Sequence, residues 1–228
     1  MENNNGIIGG RFNRLDSKRS AHLERARACA KVTIPSLLPP ESEIGDRELY
    51  TPYQSLGARC VNTLSSKLLT ALFPASMPFY RFVVDPVTAK RLKARMSQQQ
   101  FQEMVEGGLS TLEQEVQDYM EMSAHRTYIH RALRLLVATG NALLELPDDL
   151  LDRPRVHRLD SYVVVRNPAG SPIEIILREA LSPAEVEDKY LDGKDPESLE
   201  KDIYLFTQAV LKDGQWTLTQ EINGKPIE

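Results

Sequence analysis

Residues 135–147 read LLVATGNALLELP, and the fold class turns on this stretch. Up to Thr139 the apolar residues recur at helical spacing. Ile129, Leu133, Leu136 and Val137 share one side of a helix over roughly 125–139, and Gly140 suits its left-handed C-terminal position. Beyond Gly140 the period becomes strand-like. Ala142 to Leu146 reads as a strand that Pro147 stops. The chain is therefore an α+β protein: an N-terminal helical bundle, then a mostly antiparallel β region with hairpins.

Working back from the switch, residues 97–119 open with a capping box, Ser97 and Gln100. Phe101, Val105, Leu109, Leu112, Val116 and Tyr119 then give a helix of about six turns. Gly107-Gly108 interrupts it, which predicts close packing or a kink. Upstream, Thr51, Pro52 and Gln54 form a helix start over 51–73. Leu56, Cys60, Leu64, Leu68 and Leu72 repeat at i+4, with Val61 and Leu69 widening the stripe, so Leu64 and Leu68 are expected in a buried seam. Phe79 to Val84 reads as a short strand. The first helix covers 11–33, with Leu15, His22, Leu23, Ala26, Cys29 and Ala30 on its apolar side. Cys29 and Cys60 are expected to be inert buried thiols, and His22 a packed, satisfied histidine. Residues 1–10 read as a flexible N-terminus, and Glu41 to Glu48 as an acidic loop.

Working forward, Val163 to Val165 and Ile173 to Leu177 flank Asn167-Pro168-Ala169-Gly170 and read as a hairpin. Ser182 to Glu185 is a capping box for a short helix to about Tyr190. Ile203 to Leu211 and Gln215 to Ile222 flank Asp213-Gly214, a two-residue hairpin signal that Trp216 helps to pin. A turn at Asn223-Gly224 leads into another strand, so the chain reads as stopping inside a larger protein.

Composition narrows the function. The 228 residues are 41% hydrophobic and 26% charged, which argues against overall disorder. The polar start, MENNNGIIGGRFNR, is unlike a secretory signal, and no apolar run suits a membrane span. Two cysteines make no disulfide scaffold and fit a reducing compartment. Residues 1–140 carry 18 Lys/Arg against 14 Asp/Glu, whereas 141–228 carry 10 against 18. The net charge of −4 thus hides a basic first half and an acidic second half.

No catalytic motif is present: no phosphate loop, no nucleophile elbow, no H-E-x-x-H and no Cys-x-x-Cys. His125 and His130 are five apart, a poor spacing for chelation from one helix face. Asp148, Asp149 and Asp152 are candidate cation ligands weighed against a solvated acidic loop. Arg11, Arg14, Lys18 and Arg25 form a basic face that could touch phosphates, weighed against simple solvation. Lys90, Arg91, Lys93 and Arg95 make a second basic cluster on a short helix. No cofactor or metal is implied.

Three strings are more specific: CAKVTIPSLLPP (29–40), TPYQSLGARCVNTLSSKLLTALFP (51–74) and LLVATGNALLELP (135–147). Together with RLDSYVVVRNPAGSPIEIILRE (158–179), they resemble the N-terminal part of portal proteins of short-tailed bacteriophages, the head-to-tail connectors. The resemblance covers most of residues 11–222. It implies a non-catalytic ring of identical subunits, usually twelve, at one capsid vertex. A terminase motor drives double-stranded DNA through the ring, which also meets capsid, scaffolding and tail or adaptor proteins. By resemblance, 11–140 is the helical part of the wing region and 141–228 its β-rich part, ending before the stem, clip and crown. In that setting the basic face of the first helix is expected to be chiefly a protein contact, with weak, salt-sensitive affinity for DNA. A tail or neck adaptor complete at this length, and a metal-dependent nuclease using the three aspartates, are the competing readings.

Overall fold

The computed structural model describes residues 6–39, 50–75, 77–147, 149, 152–182, 186 and 203–227. The acidic loop 41–48, Asp148 and the helix expected to follow Ser182 lie outside these residues. The chain divides into two compact units, one of residues 1–31, 35–51 and 157–228, the other of 32–34 and 52–156. The α+β class and the antiparallel hairpins stand. The first helices, however, group with the strands rather than with the later helices.

In the first unit, α1 (Ile7–Lys18) and α2 (Ser20–Val32) replace the single helix expected over 11–33. They part at Arg19, whose backbone amide donates to Asp16 O. The supposedly flexible start is helical from Ile7, because Ile8, Phe12 and Leu15 already follow the i, i+4, i+7 rule. Five strands form one antiparallel sheet in sequential order. They are β3 (Tyr162–Arg166), β4 (Pro172–Leu181), β5 (Ile203–Lys212), β6 (Gln215–Ile222) and β7 (Lys225–Ile227). Turns at Asp213-Gly214 and Asn223-Gly224 carry positive φ at both positions, which gives tight hairpins their required twist.

Register explains what α1 rests on. Val163 pairs with Ile176. Arg178 pairs with Phe206, which in turn pairs with Glu221. Because side chains alternate along a strand, Val163, Glu174, Ile176, Arg178, Phe206, Gln208 and Glu221 share one face. Ile8 and Phe12 pack there against Val163, Ile176 and Phe206, and the Phe12 and Phe206 rings lie 5.6 Å apart. Val186, Ile203 and Ile222 make a second buried group, flanked by Leu181, Leu205 and Ile227.

In the second unit, α3 (Leu56–Leu72) packs on α7 (His125–Thr139), and α7 also packs on α6 (Gly107–Met122). Short helices α4 (Pro86–Lys93) and α5 (Gln98–Phe101) precede α6. Strand β1 (Leu143–Glu145) pairs with β2 (Arg155–His157). Gly140 closes α7 at φ 77°, as expected. Gly57 is required by close approach: a Cβ there would meet the Val32 carbonyl.

Several expectations fail in this unit, and that for Cys29 fails in the first. Helix α3 starts five residues after Thr51, with Ser55 at its N-cap and no side-chain cap bond. Its apolar repeat begins only at Leu56, and Tyr53 is fully exposed, so nothing supports an earlier turn. The buried face of α3 is Val61 and Ser65; Leu64 is 48% exposed and Leu68 half-buried. Cys29 and Cys60 are both exposed. Cys29 stands about 100° around α2 from the buried line of Leu23, Ala26 and Ala30. Phe79 to Val84 forms no strand. Lacking a partner strand, it is held by its aromatics: Phe79 stacks edge-on with Phe73 and Tyr80. The Tyr80 hydroxyl donates to Glu113 O, and the Phe82 amide to Glu113 Oε1. The helix over 97–122 keeps its Ser97/Gln100 capping box but contains a π turn, Gln102–Glu106, that ends at Gly107. Gly108 faces open space, so the interruption is a widened turn rather than close packing.

Candidate interaction surfaces

The four residues of the expected basic face part company. Arg11 is engaged with the sheet: its Nη2 and Nε donate to the two Glu174 oxygens at 2.8 and 3.3 Å. Gln208 Nε2 also donates to Glu174, at 2.7 Å. The Arg11 hydrogen bonds hold the Glu174 carboxyl below its ordinary value and raise the guanidinium, even though Glu174 is buried. Arg14 and Lys18 are exposed one turn apart on α1, while Arg25 is exposed on α2, a different helix. The face therefore reduces to Arg14 and Lys18, with Arg25 beyond the break.

Residue spacing does not disclose the partner of Arg11, because the acid beneath it is distant in sequence. The usable signal lay in β4, where Glu174 alternates in phase with Ile176 on a face that must be buried. An acid there requires a donor. Glu221, the cross-strand partner of Phe206 on β6, is placed likewise. Its carboxylate accepts from the Ile8 and Gly9 amides at 3.1 and 3.2 Å, at the positive end of α1. Gly6 is needed beside it, since a Cβ there would collide with that carboxylate. Arg178 completes the seat, 4.9 Å over the Phe12 ring and 5.3 Å from the Tyr204 ring, with Nη2 donating to Asp160 O.

Three residues of the second basic cluster form a helix end, and Arg95 lies beyond the C-cap, Ala94. Asp85 caps α4 by accepting from the Val87 and Thr88 amides, and Lys90, Arg91 and Lys93 occupy its last turn. Lys93 lies 4.7 Å over the Phe101 ring. A cleft of about 470 Å³ adjoins it, with Phe82, Val84 and Leu109 among the lining residues and Arg81 and Glu106 contributing charge.

The remaining chemical candidates stand apart. His125 Nδ1 meets Ser123 Oγ at 2.5 Å; His130 Nε2 meets Ser65 Oγ and Ser66 Oγ at 3.2 and 3.3 Å. Burial lowers both imidazoles, and Arg134 lowers His130 further. His22 is half-buried, but its Nε2 has no hydrogen-bond partner, so it is packed without being satisfied. Asp152 is exposed beside a cleft that Arg131, Arg153 and Arg155 also line. Among the described residues, no three His, Cys, Asp or Glu side chains are grouped to hold a metal. None of the described helices is long and apolar enough to cross a membrane.

Residues 6–204 match the family described as bacteriophage head to tail connecting protein. The chain is 31% identical to the portal protein of Escherichia phage T7 over 227 residues, and 30% identical to that of Enterobacteria phage T3 over 225. Each alignment takes in 95% of this chain and 41% of the relative. The portal protein of Pseudomonas phage phiKMV is 28% identical over 167 residues, 73% of this chain and 32% of the relative. The chain thus spans about two fifths of the T7 and T3 relatives it matches. With its helices, its antiparallel sheet and nearly its whole length aligned to connectors, the chain belongs to the bacteriophage head-to-tail connecting protein family.

Proposed function

We propose that the protein carrying this chain is a structural subunit of a phage portal: a closed ring at one capsid vertex through which double-stranded DNA enters and leaves. The observation that carries this reading is the alignment of 95% of the chain with portal proteins of T7 and T3. Residues 11–140 and 141–228 then supply the helical and β-rich parts of a wing region. The role is non-catalytic. The partners are further copies of the chain, capsid and scaffolding proteins, a packaging motor, tail or adaptor proteins, and DNA in transit. The site of action is the virion, after assembly in the host cytoplasm.

Arg14 and Lys18, joined by Arg25 on α2, serve as a protein contact in this reading. So few free cations release few counterions, which gives DNA only a shallow, salt-sensitive affinity. The test is electron-microscopy class averaging of the purified full-length protein, with its mass from light scattering. Closed rings with a central channel are expected. A full-length protein that stays monomeric at micromolar concentration overturns the proposal.

A further inference from the structure

The second unit carries two unlike faces that complement each other. Between Ser97 and Met122 the chain has six acidic residues and no Lys or Arg. Helix α3 has Arg59 and Lys67 and no acid, and α7 has three arginines and no acid. Each face also exposes apolar side chains that its own unit leaves uncovered. On the acidic helix, Leu112, Tyr119 and Met122 are 50%, 44% and 76% exposed. Steps of seven and three residues place them along one side, with Glu115 among them and Asp118 at the rim beside Met122. On α3, Leu56 and Leu64 are 63% and 48% exposed, eight residues apart, with Cys60 between them and Lys67 on the same side.

We propose that these two faces dock on each other between copies: the acidic face of α6 in one subunit packs on the basic face of α3 in the next. Pairing unlike patches makes the contact heterologous, the kind that propagates head to tail and closes into a ring. An apolar line bordered by opposite charges supplies burial at the centre and selects the partner and register at the rim. The occupant is a second copy because one chain carries both halves of the match. The inference rests on the ring reading above and specifies which helices meet.

The test uses full-length protein and two variants. One reverses the basic face (Arg59→Glu with Lys67→Glu), the other the acidic face (Glu115→Lys with Asp118→Lys). Each variant alone places like charges across the contact and is expected to lose the oligomer peak in light scattering. An equimolar mixture restores two attractive contacts and is expected to recover the peak. All four changes are at exposed positions, or on α6 turns facing water, so helix content by circular dichroism is expected to stay unchanged. Independently, with Cys29→Ser and Leu112→Cys in place, oxidation should join the native Cys60 of one copy to position 112 of another. Variants that assemble alone, a mixture that stays dissociated, or an absent cross-link each overturn this docking while leaving the ring intact. An unmodified protein that never oligomerises overturns the ring reading and this inference together.

Discussion

The two units solve the burial problem in opposite ways. Most of the fully buried apolar residues sit in the sheet unit, where Ile8, Phe12, Val163, Ile176 and Phe206 interlock in one cluster. Most of the exposed large apolar residues sit in the helical unit, including Leu56, Leu64, Leu72, Phe79, Leu112 and Tyr119. Both units are amphipathic in sequence. The difference shows that an apolar stripe reports a need for cover without saying which chain supplies it. A family whose members are connectors fits a unit that leaves its stripes open.

The largest expected effect separates the units directly. Phe12→Ala removes a fully buried ring and should cost about 3–5 kcal/mol of stability in urea unfolding. Leu64→Ala, at a half-exposed position, should cost less than about 1 kcal/mol in the dissociated chain. Equal losses would erase the contrast between a closed core and an open face.

Acid should divide the units next, through different groups. Glu174 has a depressed folded value, so its contribution is present above the ordinary carboxyl value of about 4.3 and disappears as pH falls through the lower folded value. His125 and His130 are also depressed, but as bases: unfolding takes up protons below about 6.5. Their effect is that the helical unit weakens as pH falls from about 6.5 toward their folded values, before the sheet unit responds. Hydrogen exchange at a series of pH values should show α3 and α7 amides losing protection first, and His130→Gln should narrow the gap. Loss of α1 protection at the higher pH would contradict this order.

The smallest effect concerns the boundary between helix and strand. Gly140 at φ 77° has no neighbour against which a Cβ would clash, so Gly140→Ala is disfavoured by backbone conformation alone. A loss of about 1–2 kcal/mol is expected, read as a lower thermal midpoint. No change would mean that α7 ends without a left-handed residue.

Much of the local chemistry was legible, although the helix start at Thr51 and the strand over 79–84 were not borne out. Gly140, the Ser97/Gln100 capping box and the Asp213-Gly214 turn stand where their residue types require, because capping and turn geometry involve groups only a few residues apart. Charge segregation between α6 and α3 could also be counted from the letters, although its meaning needed the exposed faces. The seam of α3 was legible only in part: Val61 widens the apolar stripe, whereas Ser65 is polar and carries no sign of burial. The repeat Leu56, Cys60, Leu64, Leu68 and Leu72 is a valid stripe, and α7 covers a different angle of the helix, centred on Val61 and Ser65.

The sequence by itself determined the α+β class, the hairpins and the family, since periodicity, turn residues and long ordered strings are properties of neighbouring positions. Tertiary structure alone decided that Arg11 answers Glu174 across 163 positions and that Glu221 receives the amides of Ile8 and Gly9. It also decided which apolar stripes stay open. The physical reason is common to all of these. Burial and the pairing of charges depend on which distant segments the fold brings together, and strand register fixes that meeting while leaving no mark in the local spacing of residues.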